Sequence, residues 1–107
     1  MAGREDVFQK AMNEGHSAAW DQTWDVAVKA YLRAIEEFPD NAKALNSLAL
    51  AQYQLQHYDD ALKTYIRVAK LNPEEAVSFE KIAQIYERQG YLNEAIQAAM
   101  QAAELYL

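Results

Sequence analysis

A period of 34 residues runs through this chain. Pro39 and Pro73 are 34 apart, and so are Tyr31 and Tyr65. Ala27, Ala61 and Ala95 keep the same interval twice, as do Ala34, Val68 and Ala102. Polar positions follow suit: Lys29, Lys63 and Gln97 align, and so do Arg33, Arg67 and Gln101. Apolar positions therefore recur as apolar and polar ones as polar. A fixed period of this length marks a supersecondary unit that cannot bury its hydrophobic face alone and must stack on its neighbours.

The unit reads as two helices. The 107 residues include only three Gly and two Pro. Ala, Leu, Glu, Gln and Lys dominate, and these residues lose little on entering a helix. Hydrophobic spacing predicts six helices at about 5–21, 24–38, 41–55, 58–71, 74–89 and 92–106. Asn41 or Asp40 is placed to cap the third helix. Asn72-Pro73-Glu74-Glu75 reads as a helix start, with Pro at the first helical position and acids at the positive end of the dipole. Gly90 reads as a helix stop, where a left-handed residue is needed.

Composition excludes several classes of function. Ten basic and 16 acidic residues give a formal net charge of −6. No broad basic footprint exists, so neither nucleic acid nor a membrane surface is expected as a partner. The absence of cysteine rules out disulfides, thiolate nucleophiles and Cys-ligated zinc. No apolar run approaches the roughly 20 residues of a membrane helix, and the N-terminal stretch lacks the apolar core of a secretory signal. A cytoplasmic location is the default expectation. No catalytic, metal or cofactor site is expected. His57 reads as a solvated turn residue, and His16 has Trp20 at i+4 where a second ligand would stand. Ser17, Ser47 and Ser78 have no His one helical turn away, and the paired acids sit at helix ends.

The chain resembles the tetratricopeptide repeat family. The residues that carry the likeness are Gly15, Ala27, Tyr31, Ala34 and Pro39 in the first unit. In the second they are Leu45, Leu48, Ala49, Tyr58, Ala61, Tyr65 and Pro73, and in the third Phe79, Ile82, Ala83, Tyr86, Gly90, Ala95 and Ala102. The resemblance implies an all-α fold, a right-handed α-solenoid of three helix-turn-helix hairpins. It implies one domain over 1–107 with repeats at about 8–41, 42–75 and 76–107. Unit one departs from the pattern, with Ala11, Glu14 and Ala18 where the family favours larger residues. Unit two has Gln56 in place of the usual turn glycine.

In this family the first helix of each pair lines a concave groove. Carried over residue by residue, the resemblance places Met12, His16, Trp20, Asn46, Leu50, Tyr53, Glu80, Gln84 and Glu87 in that groove. It implies noncatalytic binding of a protein, as a peptide or a partner helix. Trp20 and Tyr53 suit helix–helix seams as well as they suit a ligand. The family's clamp for chaperone C-terminal tails would fall on Met12, His16, Ser47, Val77 and Lys81. Only Lys81 is a cation there, so such tails are disfavoured.

The last helix carries its own message. Glu94, Gln97, Gln101 and Glu104 form a narrow polar stripe, and nearly everything else from Ala95 to Leu107 is apolar. Terminal repeats need a polar outer face. Ile96, Met100, Ala103, Tyr106 and Leu107 therefore make a candidate self-association face, suited to a scaffold or to a segment of a longer array.

Overall fold

The computed structural model describes residues 3–107 and contains six α-helices among them, with no strand. They are α1 (Arg4–Trp20), α2 (Trp24–Glu37), α3 (Ala42–Gln54), α4 (Tyr58–Leu71), α5 (Ala76–Gln89) and α6 (Leu92–Tyr106). Each helix packs chiefly on its neighbours in sequence, and the molecule extends 49 Å along its longest axis. It is an all-α helical-repeat solenoid. The first two residues of the expected 1–107 domain lie outside the described residues.

Three identical devices close the hairpins. α1, α3 and α5 each end with a left-handed residue: Gln22 at φ 60°, Gln56 at φ 63° and Gly90 at φ 84°. The residue after each turns back onto the helix. Thr23 N–H donates to the Ala18 carbonyl, His57 N–H to Gln52, and Tyr91 N–H to Tyr86, at 2.8 to 3.0 Å. This is the Schellman arrangement, which satisfies carbonyls that a helix end leaves orphaned. The 34-residue period therefore extends to backbone conformation.

The hairpins connect through short turns. Asn41 N–H donates to the Phe38 carbonyl and Glu75 N–H to Asn72, each at 3.1 Å. Asn41 also caps α3, its side chain accepting from Ala44 N–H at 3.0 Å. The fifth helix begins later than its sequence suggests, at Ala76 rather than 74. Asn72 still closes α4 by donating to the Val68 carbonyl. Pro73 and Glu74 then serve as the middle of a turn, for which Pro has the right φ, and Glu75 takes the N-cap position without a side-chain cap.

Small residues at the crossings let the helices approach. Ala27, Ala34, Ala44, Ala49, Ala51 and Ala61 are completely buried. Gly15 meets the Tyr31 ring so closely that a Cβ there would lie 2.6 Å from Cδ1 and 2.9 Å from Cζ. One apolar cluster joins α1, α2 and α3 around Phe8, Met12, Tyr31 and Leu48. A second joins α3 to α6 around Tyr65, Ile82, Ile85 and Ala98. Each large side chain buried this way stabilises by roughly 1.5–3 kcal/mol.

Candidate protein-interaction surfaces

The first-helix stripe divides into exposed and buried members. Trp20 is 88% exposed and Leu50 is 40% exposed, while His16, Gln84 and Glu87 also face solvent. Asn46 and Glu80 are half-buried. Tyr53 is half-buried as well, packing on the second cluster with its ring 5.4 Å from that of Tyr58. It fills a helix seam, whereas Trp20 does not. Met12 corrects the expectation outright. It is 2% exposed and belongs to the core, so it offers nothing to a groove. The reason is volume: Ala11, Gly15 and Ala18 leave space around α1, and a long flexible thioether fills it.

His16, Leu50 and Gln84 occupy one position of successive repeats, 34 residues apart. His16 Nδ1 lies 2.8 Å from the Tyr31 hydroxyl. Burial pushes the Tyr31 phenol up, and a side-chain hydrogen bond with Ser47 partly offsets that. These contacts tie α1, α2 and α3 together beneath the stripe. Tyr65, the counterpart of Tyr31, is pushed up to about 12, chiefly by burial and further by nearby Tyr53. Both phenols are held neutral and act as packing groups.

The two ends of the solenoid differ. On α6, Ile96, Met100 and Tyr106 are 57%, 58% and 65% exposed, and Ala103 and Leu107 face solvent with them. These positions align with residues that are covered in the preceding repeat. Leu62 and Ile66 pack on the second cluster, and Ala69 is buried. At the other end, the corresponding face of α1 is polar. Glu14 stands where Leu48 and Ile82 are buried, and it pairs with Arg33 across the α1–α2 hairpin. A cleft on this side is lined by Asp6, Lys10, Asn13, Ser17 and Asp21.

A feature missed in the sequence lies between the second helices of successive repeats. Leu32, Ile35, Leu45, Leu48, Gln52, Asp60, Lys63, Thr64 and Arg67 line a cleft of about 260 Å³. Nine residues 34 positions later, from Ile66 to Gln101, line another of about 420 Å³ together with Lys70 and Pro73. The period itself held this signal. The recurrence marks the clefts as products of stacking geometry. The second is larger where Ala69 and Ala98 replace Ile35 and Thr64.

Among the described residues, no cluster of three or more His, Cys, Asp or Glu is arranged to hold a metal. No described helix is long and apolar enough to cross a membrane.

Comparisons agree with the repeat geometry. Among solved structures, MamA (MSR-1) is 28% identical, with a TM-score of 0.86 over 92% of this chain and 56% of that one. A point mutant of MamA is 25% identical, with a TM-score of 0.86 over 95% of this chain and 79% of its own. The CopN-Scc3 complex contains a chain 22% identical, at a TM-score of 0.89 over 94% of this chain and 59% of that one, a likeness of fold. This chain thus spans little more than half the length of MamA (MSR-1). No curated protein matches the sequence. The tetratricopeptide repeat model matches residues 13–76 and again 48–106. With nearly the whole solenoid covered by that model, the chain belongs to the tetratricopeptide repeat family, whose members are protein–protein interaction scaffolds.

Proposed function

We propose that the chain is a noncatalytic adaptor module that holds a peptide or partner helix against the first-helix stripe of α1, α3 and α5. The whole of 1–107 acts as one such domain, with repeats at about 8–41, 42–75 and 76–107. The observation that carries this reading is the exposure of Trp20 and Leu50 on a stripe whose neighbours are buried. Large apolar side chains in water dominate recognition when a partner desolvates them. Gln84, and the half-buried Asn46 behind Leu50, add amides able to pair with a peptide backbone. Chaperone C-terminal tails are a poor fit, since Met12 is buried and Ser47 is engaged with Tyr31.

The test is selection of peptides from a random library on the intact chain, followed by affinity measurement on variants. Trp20→Ala and Leu50→Ala should each weaken selected peptides by about tenfold, with circular dichroism unchanged. Tyr53 is unsuitable as a probe because its removal also opens the core. Selected peptides that bind both variants as tightly as the parent chain would sink the reading.

A second role, assembly through the apolar face of α6, is supported by the exposure of Ile96, Met100 and Tyr106. It uses a different surface from the groove.

A further inference from the structure

The solenoid states twice what its open end accepts. α3 seats on α2, and α5 seats on α4, each covering the second helix of the repeat before it. The residues covered on α4 include Leu62, Ile66 and Ala69. Ile96, Met100 and Ala103 repeat that set on α6 without a cover. The complementary shape is therefore another helix with a stripe of small and aliphatic residues.

Charge narrows the occupant. α6 holds Glu94 and Glu104 and no basic residue. On α5, Glu80 and Glu87 fall at the positions of Met12 and Ala19 and of Asn46 and Tyr53, the side of a first helix turned toward the following repeat. The Glu80 carboxylate lies at that open end, where its hydrogen bond to the Tyr106 phenol raises the phenol's pKa. The two cations of α5 point elsewhere. Lys81 takes the place of Ser47, which contacts the preceding repeat, and Arg88 takes that of solvent-facing Gln54 and Trp20. The open end is thus apolar with an acidic margin.

A second copy of the chain does not complement it. Its α6 would bring the same acids to the contact, with no cation to meet them. Its α1 would bring Asp6, Glu14 and Asp21, losing their hydration against an apolar face. We propose that the α5–α6 end face binds an amphipathic helix of a partner protein, one with a small-and-aliphatic stripe flanked by lysine or arginine. Attraction at the margin sets partner choice and association rate more than final affinity.

The test uses the full chain and three synthetic helical peptides of about 15 residues. The first carries a Leu/Ala stripe with flanking lysines, the second the same stripe with flanking glutamates, and the third is a scramble of the first. The lysine peptide should bind at least about tenfold more tightly than either control. Met100→Glu should weaken it by about tenfold or more. Glu80→Gln with Glu87→Gln should weaken it several-fold and remove most of its salt dependence. Trp20→Ala should leave it unchanged, which separates this surface from the groove. Light scattering should find the free chain monomeric at all concentrations. Equal binding of the two striped peptides, binding of the scramble, or no binding would overturn the proposal. So would a concentration-dependent dimer that Met100→Glu abolishes, which would make a second copy the occupant.

Discussion

The two ends of this solenoid solve the same problem differently. A terminal repeat has one face with no neighbour. At the N-terminal end, α1 meets water with Glu14, Ser17 and Lys10, and Glu14 is further held by Arg33. Its apolar side, with Phe8, Ala11, Met12 and Ala18, turns wholly inward. At the C-terminal end, α6 buries only Ala98 and Ala102 completely and leaves Ile96, Met100, Tyr106 and Leu107 outside. The hairpin geometry is the same, and only the outward residues differ. A repeat's sequence thus records whether its outer face is a boundary or a joint.

The sharpest way to break that comparison is to place one charge at equivalent positions. Ile66→Glu puts a carboxylate into the α4–α5 seam and should cost about 3 kcal/mol or more. Met100→Glu makes the same change one repeat later, on an exposed face, and should stay within about 0.5 kcal/mol. Urea denaturation of the two variants measures both. Equal losses would mean that the α6 face is covered in solution.

Much of this was legible beforehand, for a physical reason. Packing between helices demands small residues at crossings and large ones beside them, and the demand recurs every 34 residues. Ala27 with Ala61, and Ala34 with Val68, announced the crossings, and all four are fully buried. Less legible was anything the period leaves free. Asn72-Pro73-Glu74-Glu75 satisfies the rules of a helix start and of a turn alike, and only the hydrogen bond from Glu75 to Asn72 decides between them. Met12 was misplaced because a register carried over from other repeats assumes bulk at Ala11 and Ala18. Groove residues answer to a ligand rather than to packing, so the sequence alone does not say which of them bind.

Gly15 offers an intermediate test within the same frame. Gly15, Ala49 and Ala83 occupy one position, and Tyr31, Tyr65 and Ala99 occupy the position packed near it. At the N-terminal hairpin the tyrosine ring lies directly against the glycine. Gly15→Ala gains helix propensity of up to about 1 kcal/mol but forces the ring or α1 to move, at a cost of about 1–3 kcal/mol. The overlap is with a ring packed at 3% exposure, so the strain outweighs the propensity gain. A net loss of about 1–2 kcal/mol by thermal unfolding is expected. Combination with Tyr31→Phe should not rescue it, because the close atoms are ring carbons rather than the hydroxyl.

The smallest effects come from the hairpin turns, where all three repeats adopt one backbone shape with different residues. Gln22 and Gln56 hold φ near +60°, a region where a Cβ crowds the following carbonyl. Gly90 holds the same region freely, with nothing within 4 Å of where a Cβ would stand. The penalty at the two glutamines is therefore local backbone strain and not a clash with the fold. Gln56→Gly removes that strain at some entropic cost in the unfolded chain. It should raise stability by about 0.5–1 kcal/mol, and Gly90→Ala should lower it by about 1 kcal/mol. The opposite signs are the test, read from the shift of the urea midpoint at constant slope. Loss of stability on Gln56→Gly would mean that its side chain, and not the turn's shape, holds the second hairpin closed.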